Sequence, residues 1–438
     1  MLNNTVERSA EKAVRDEQLS CPGAGLRNVG CNPALVQLAK SRRVMLLQGP
    51  LGPFYDRLTR WLHAGGAEVH RIVFQGGDEY DCQLLTPIAY RGALEAWPAF
   101  FAAQIDQLGI DCVVLFGQSR RYHVKAIGVA RAHDLPVIVL EEGYFRPGYL
   151  TMELGGVNGY SSTLQSYRWR PVSLVKADSS DVAHPGDIAR DVSPRHFKKM
   201  AWHATKHYAA MHMSRADFPH YVHHRGTNPY SYFFYWLRSW RRKLLAWSGD
   251  HRFQAGLLNG SNTYFFVPLQ HDGDAQITHH SPFEQNTDFI IRVMRSFAAH
   301  APADAWLVFR QHPHSRGGAG HSAFIFSLAA ELGLGKRVHH MVEGDTPDLA
   351  QHSAGVVLIN STVGLQALER GAPLIALGEA LYRQPHLTFS GDLDAFWHQA
   401  RPADKAATAA FLAQMKNLTQ ASGSLYAQRD EPLQWNHL

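Results

Sequence analysis

Short apolar runs alternate with helix-period segments twice along the chain, and a different pattern separates the two sets. The first set opens with an apolar run at 44–47, closed by Gln48, Gly49, Pro50, Leu51, Gly52 and Pro53. Phe54, Leu58, Trp61 and Leu62 then recur at helical spacing. Further strands are expected at 69–74, 112–116 and 136–140, and helices at 94–108 and 121–133. The last of these strands runs into Glu141, Glu142 and Gly143. The second set places strands at 263–269, 306–309, 356–359 and 374–377. Ser281, Pro282 and Glu284 spell a helix start, with Phe283, Phe289, Ile290, Val293, Met294 and Phe297 along one face. A helix over 363–369 follows Ser361 and Thr362. Apolar strands alternating with helices predict parallel sheets covered on both faces, an α/β fold class.

The chain has 438 residues, enough for two domains. Residues 1–40 are polar and weakly periodic, and are expected to be a flexible segment. Two α/β units are expected at 41–165 and 251–395, and a C-terminal helical tail at 396–438. Residues 166–250 form a basic, aromatic connector. Its 14 Lys/Arg against 6 Asp and no Glu concentrate positive charge there, although the whole chain carries only +5. An anionic partner would therefore meet the middle of the chain. Residues 232–247 read YFFYWLRSWRRKLLAW. Such a piece suits an anionic membrane interface, with Arg241, Arg242 and Lys243 on the lipid; it equally suits a connecting helix with solvated charges. No nucleic-acid-binding module is recognisable, so nucleic acid is not expected as a partner. The four cysteines form no C-x-x-C, no basic-then-apolar leader opens the chain, and no window of about 18 apolar residues occurs. These features predict a cytoplasmic protein.

Ligands in open α/β sheets bind beyond the carboxyl ends of strands, and the polar clusters sit at such ends. Gln48, Gly49 and Gly52 form an acceptor loop or a tight turn, without a Walker or dinucleotide pattern. Glu141 and Glu142 suit proton transfer, or are a solvated pair at a loop mouth. His312, before Pro313, is placed to meet a leaving phosphate, or is one of 26 background histidines. Ser361 and Thr362 offer hydroxyls to a phosphate, or simply cap a helix. Gln270, Asp272, Gly273, Asp274 and Gln276 close another strand. Asp272 and Asp274 spell a metal-binding D-x-D, or a turn holding one reactive carboxylate. His279-His280 and His339-His340 lack the partner spacing of a metal site, and none is expected.

Glu141-Glu142-Gly143, His312-Pro313 and Ser361-Thr362 together resemble the D/E-D/E-G, H-P and S/T-S/T motifs of bacterial CMP-sialic-acid-using transferases. The stretches at 46–58, 73–81, 141–158, 223–243, 265–283, 310–317 and 359–382 are more similar still to the capsule-synthesis family of bacterial β-Kdo transferases, of the KpsS type. Gln75 departs from the Asn expected there, and about 40 residues at each end lie outside the resemblance. The resemblance implies a GT-B-like fold of two Rossmann-like domains facing a cleft, the first on the acceptor side and the second on the CMP-sugar side. It implies a retaining enzyme moving Kdo from CMP-Kdo to a lysophosphatidylglycerol acceptor, starting the poly-Kdo linker of a capsular polysaccharide, with no cofactor beyond the donor. His312 would contact the donor phosphate, joined by Ser361 and Thr362. Glu141 or Glu142 would take the acceptor proton, and Asp274, four residues after Gln270, would be the nucleophile. Implied partners are the CMP-sugar, a glycolipid, the inner face of the cytoplasmic membrane, and capsule assembly and export proteins. Another CMP-ulosonic acid as donor, or a non-catalytic role in capsule assembly, are the alternatives.

Overall fold

A computed structural model describes residues 32–145, 148–157, 160–161, 193–223, 229–260, 262–318 and 320–435. Residues 1–31 of the expected flexible segment, 162–165 of the expected first unit, and 166–192 and 224–228 of the connector lie outside the described residues.

The first unit contains β1 (Arg43–Leu47), β2 (Glu68–Val73), β3 (Ile88–Ala89), β4 (Cys112–Phe116), β5 (Val137–Glu142) and β6 (Tyr149–Leu154). The second contains β7 (Tyr264–Pro268), β8 (Trp306–Arg310), β9 (Val338–Met341), β10 (Gly355–Leu358) and β11 (Leu374–Ala376). A last strand, β12 (Gln420–Ser422), returns to the first unit. The sheet orders are β12-β6-β5-β4-β1-β2-β3 and β11-β10-β7-β8-β9. The second sheet is parallel throughout, and in the first only the pairings of β6 are antiparallel.

The apolar runs make sense from this arrangement. Val44 and Leu46 of β1 enter one core while Met45 and Leu47 enter the core on the opposite face. Phe266 and Val308 likewise separate from Phe265 and Leu307 across the second sheet. A strand buried on both faces has no place for a polar alternation. The α/β class and the two Rossmann-like units are as expected from the sequence.

Several local expectations need correction. Residues 33–40 are a helix, Pro33–Lys40, not a flexible end: the Asn32 side chain accepts from the N–H groups of Ala34 and Leu35, and Ala34 and Leu38 are buried in the first core. The helix expected from Ser281 starts at Asn286, because a Gln285/Asp288 capping box lies there. Ser281 instead hydrogen-bonds Ile277 O and Phe283 N, closing the preceding short helix. Residues 396–438 are not an appended helical tail. The helix Lys405–Thr419 places Phe411, Leu412 and Met415 in the second unit's core, and β12 then completes the first sheet. Two connector helices are described. Ser193–Met213 packs on the first unit, where Gly77 faces it so closely that a Cβ would lie 2.5 Å from His207 O. Pro229–Asn259 passes the expected boundary at 250 and packs on the second unit, where the Asp250 carboxylate accepts from Val342 and Glu343 N–H at 2.8 Å each.

The crossing at β12 turns on Gln420, which is buried. Its Oε1 accepts from Tyr144 N–H at 2.9 Å and its Nε2 donates to Thr151 Oγ1 at 3.1 Å. Replacing Gln420 with Ala removes both of these buried hydrogen bonds, so Q420A is expected to cost about 1–3 kcal/mol of stability, read as a lower urea midpoint by circular dichroism.

Candidate active site

Each sheet has one place where chain order reverses between neighbouring strands: between β1 and β4, and between β7 and β10. Ligands gather at such reversals because the loops on either side run apart and leave a crevice. Both places are bridged by a side chain. Arg120, beyond β4, donates to the carbonyls of Gln48 and Gly49 at 3.1 and 3.3 Å. Gln270, beyond β7, donates to Asn360 Oδ1 at 3.0 Å, and Asn360 N–H donates back to Gln270 Oε1 at 3.3 Å.

At the first reversal Gln48 has φ of 27°, a conformation unfavourable for a residue with a side chain. Its side chain secures it. Nε2 donates to Asp78 Oδ2 at 3.1 Å and to the Tyr221 hydroxyl at 2.9 Å. Burial pushes the Asp78 carboxyl up, opposed by His207, Arg71 and Arg120. Gly49 abuts the Tyr55 ring, and Gly52, at φ +91°, abuts His203. Gly52 N–H donates to Asp81 Oδ2, which also meets His207 Nδ1 at 2.7 Å. Gln48, Gly49 and Gly52 thus belong to one buried network that anchors the helix Ser193–Met213.

Glu141 and Glu142 end β5 and pair with Thr151 and Leu150 of β6. Glu142 Oε1 accepts from the Tyr426 hydroxyl at 3.3 Å. At Gly143 a Cβ would lie 2.2 Å from Tyr149 O, so only glycine fits. Tyr144 and Phe145 then enter the core cluster that holds Leu365 and Tyr382 of the second unit. The Tyr382 hydroxyl donates to Ser361 O, so one core braces the Glu142 loop and the Ser361 loop together. A further contact between the units sets Tyr160 edge-on to His280, with ring centroids 5.7 Å apart.

At the second reversal Asp274 caps a short helix, with Oδ1 accepting from Gln276 N–H at 2.9 Å and Oδ2 from Gln270 at 3.3 Å. Asn360 also donates to Gln276 O at 2.9 Å. Asp272 faces other partners, Asn286 Nδ2 at 2.8 Å and His321 Nε2 at 2.7 Å. The His321 hydrogen bond leads in holding its carboxyl down at about 2 against the effect of burial. The D-x-D spelling therefore describes two carboxylates with separate structural partners. Among the described residues no group of three or more His, Cys, Asp and Glu is placed to hold a metal ion.

His312 Nδ1 accepts from His314 N–H at 3.1 Å. In the neutral ring this fixes the proton on Nε2, making that nitrogen a donor. Pro313 starts the turn that brings His314 round. The His271 ring, beside Gln270, lies 6.0 Å from that of His312. Ser361 Oγ accepts from Val363 N–H at 3.3 Å, and Thr362 is exposed at the start of the helix Val363–Glu369. Gln270, Asp274, Gln276 and Asn360 are thus joined by hydrogen bonds at this reversal, with Ser361 next to Asn360 in the chain and His312 beside His271.

Sequence reasoning placed Asn360 and Asp272 in strand-end clusters without their partners Gln270 and His321, and it missed Tyr426 and Glu153. Asn360 stood inside the quoted run at 359–382, next to Ser361, and was the readable signal. Tyr426 and Glu153 had none, because their partners lie 284 and 8 to 9 positions away. Glu153 is buried, takes hydrogen bonds from the Tyr144 and Ser161 hydroxyls, and shares a sheet face with Glu141. Burial pushes its carboxyl up to about 8, reinforced by Glu141 and opposed by those two hydrogen bonds.

Folding thus favours neutral Glu153. Its contribution to stability is full below the ordinary value of 4.5 and is lost as pH rises through about 8. Glu153→Gln is expected to remove that loss, so thermal unfolding of the variant should fall less than wild type between pH about 5 and about 9. Identical pH profiles would show that Glu153 does not titrate in this way.

Among the described residues no helix is long and apolar enough to cross a membrane. Residues 111–426 match the family described as capsule polysaccharide biosynthesis protein. The chain is 33% identical over 365 residues to the capsule polysaccharide export protein KpsS of Escherichia coli, spanning 83% of this chain and 92% of the relative. It is 33% identical over 396 residues to the capsule polysaccharide modification protein LipB of Neisseria meningitidis serogroup A, spanning 89% and 93%. The solved structure of Thermosulfurimonas dismutans KpsC, beta Kdo 2,7 transferase, aligns over 88% of this chain and 93% of its own, at 14% identity and a TM-score of 0.39, a likeness too distant to assign chemistry. By its family match and by its identity to KpsS and LipB along most of its length, the chain belongs to the capsule polysaccharide biosynthesis protein family.

Proposed function

We propose that the chain is a glycosyltransferase that moves Kdo from CMP-Kdo to a lysophosphatidylglycerol acceptor with retention. The observation that carries this reading is the crevice at the β7/β10 reversal, where Gln270 and Asn360 join the loops bearing Asp274 and Ser361 beside the Nε2 donor of His312. Its chemistry suits a donor with a phosphate leaving group. The Asp274 carboxylate attacks the anomeric carbon as the bond to the CMP oxygen breaks. The departing phosphate takes hydrogen bonds from His312 Nε2 and from the Ser361 and Thr362 hydroxyls. An acceptor hydroxyl then attacks the glycosyl ester, passes its proton to Glu142 or Glu141, and releases the Asp274 carboxylate. These steps use only carboxylates and hydrogen-bond donors of this chain, and no cofactor is invoked.

The same reading places the enzyme on the inner face of the cytoplasmic membrane, beside capsule assembly and export proteins. On the helix Pro229–Asn259, Trp236, Leu237, Trp240, Leu244 and Trp247 are 43–63% exposed and recur at helical spacing, with Arg238 and Arg241 alongside. Aromatic residues beside cations suit an anionic lipid surface. Arg242, grouped by sequence with the lipid-facing cations, has another task. It donates to the carbonyls of Arg316 and Gly318 and so holds the loop that follows His312.

Purified protein with CMP-Kdo and lysophosphatidylglycerol is expected to yield Kdo-lipid by mass spectrometry, and CMP-sialic acid should be inert. His312→Ala should lower transfer by about 100-fold or more with the fold intact. Asp274→Ala should abolish a trapped glycosyl adduct; an unchanged adduct would assign the nucleophile elsewhere. Turnover of neither CMP-sugar, with capsule production intact in H312A cells, would favour the non-catalytic role.

For the membrane face, W240S/L244S is expected to weaken sedimentation with anionic vesicles about tenfold. Binding equal to wild type would show that this face does not meet lipid.

A further inference from the structure

A cleft of about 510 Å³ lies beside the network at the first strand reversal, between the helix Ser193–Met213, Pro53 and the segment that follows β12. Its size falls in the range of small-ligand sites. Lys199, Trp202, His203 and Lys206 line it from the helix, spaced three, one and three residues apart and so on one helical face. Tyr426 and Arg429 line it from the opposite side.

The charges in the cleft do not cancel. Asp81 also lines it, but its Oδ2 is taken by His207 at 2.7 Å and by Gly52 N–H at 3.1 Å. Arg429 Nε meets Asp56 at 2.9 Å. Among the described residues neither Lys199 nor Lys206 has a carboxylate partner, and the Lys206 ammonium stands 4.5 Å over the Trp202 ring. Burial depresses His203, and Lys206, Arg429 and Lys199 add to that effect while Asp81 opposes it, so the three cations are close enough to be felt there together. Two ammonium groups without carboxylate partners, converging on a cleft with a neutral histidine, make a site for an anion.

The position of the cleft says which anion. Tyr426 lines the cleft and donates its hydroxyl to Glu142. An anion held by Lys199 and Lys206 therefore lies across one side chain from the carboxylate assigned to the acceptor hydroxyl. Trp202, 60% exposed at the rim, has the amphipathic character that suits the edge of a lipid layer. We propose that this cleft holds the phosphate of the acceptor's glycerophosphate headgroup and so sets which hydroxyl reaches Glu142, an inference that rests on the lipid-acceptor reading above.

The test uses full-length protein and the double variant K199A/K206A. Calorimetric binding of glycerol 1-phosphate is expected to weaken about tenfold in the variant. In the transfer assay the KM for lysophosphatidylglycerol should rise about tenfold while kcat stays within about twofold, because the lysines bind the acceptor equally in ground and transition states. With a monoacylglycerol acceptor, which has no phosphate, variant and wild type should behave alike. Unchanged headgroup binding and unchanged KM would overturn the proposal. Inorganic phosphate binding as tightly as glycerol 1-phosphate, with neither displaced by lysophosphatidylglycerol, would make it a free-phosphate site and overturn the lipid assignment. No transfer to any acceptor, with glycerol 1-phosphate binding lost in the variant, would remove the transferase reading and leave the anion site standing.

Discussion

The buried amide of Gln420 ties together parts of the chain that are nearly three hundred residues apart. Without β12 the antiparallel strand β6 would be a sheet edge, with a row of backbone groups left to water or to another chain. Gln420 closes that edge and, through Tyr144 N–H, fixes the loop that carries Glu142. Reaching that place requires the chain to cross the second unit first. Phe411, Leu412 and Met415 make the crossing in the same core that takes Tyr144 and Phe145. The two sheets are therefore joined by shared apolar burial as well as by covalent connection. Any opening between them must either pivot about this core or expose it, and burying one such aromatic is worth about 1.5–3 kcal/mol. The Glu142 and Ser361 loops sit on that core, so their separation should change less than that of groups farther out.

Each strand reversal is handled differently. Around β1 and β4 the polar groups are buried and satisfied mainly by one another: Gln48, Asp78, Gln75, His207 and Asp81 form a continuous network. Such a network specifies one arrangement, because breaking any member leaves a buried polar group unpaired. Around β7 and β10 the bridge Gln270–Asn360 is buried on one side only. Asp274, Ser361 and His312 above it are partly exposed, with exposed Thr362 beside them. The first reversal is built to hold a helix in place. The second presents carboxylate, hydroxyl and imidazole groups to whatever enters.

Local chemistry was legible where it decides the outcome locally. The two-sided apolar strands, the helix over 363–369 and the polar clusters at strand ends follow from runs of residues that are neighbours in sequence. The errors lie where a distant partner decides. Pro33–Lys40 reads as part of a polar, weakly periodic, flexible segment, yet Asn32 also donates to Met152 O and Gln420 O, which no local pattern announces. Ser281-Pro282 has the better spelling for a helix start than Gln285, but Ser281 is already committed to Ile277 O. Arg242 reads as one more cation in a basic run until the carbonyls of Arg316 and Gly318 are seen to face it. Glu153 reads as an ordinary strand glutamate, and only the fold encloses it.

The positive charge concentrated in the middle of the sequence is the point at which these threads meet. Among the described residues it is divided between two helices serving different units. Lys199 and Lys206 belong to the helix on the first sheet, while Arg238, Arg241 and Arg242 belong to the helix on the second. An anionic lipid surface would attract both sets within about a Debye length, roughly 8 Å at physiological salt. Lys199 and Lys206 line a cleft that is also lined by Tyr426, whose hydroxyl is bonded to Glu142. A uniform basic stripe would hold the protein on a membrane without orienting any headgroup. On the reading proposed above, dividing the charge would separate attraction to the surface from selection of one molecule in it, at the cost of a long aromatic helix exposed to water when no membrane is near.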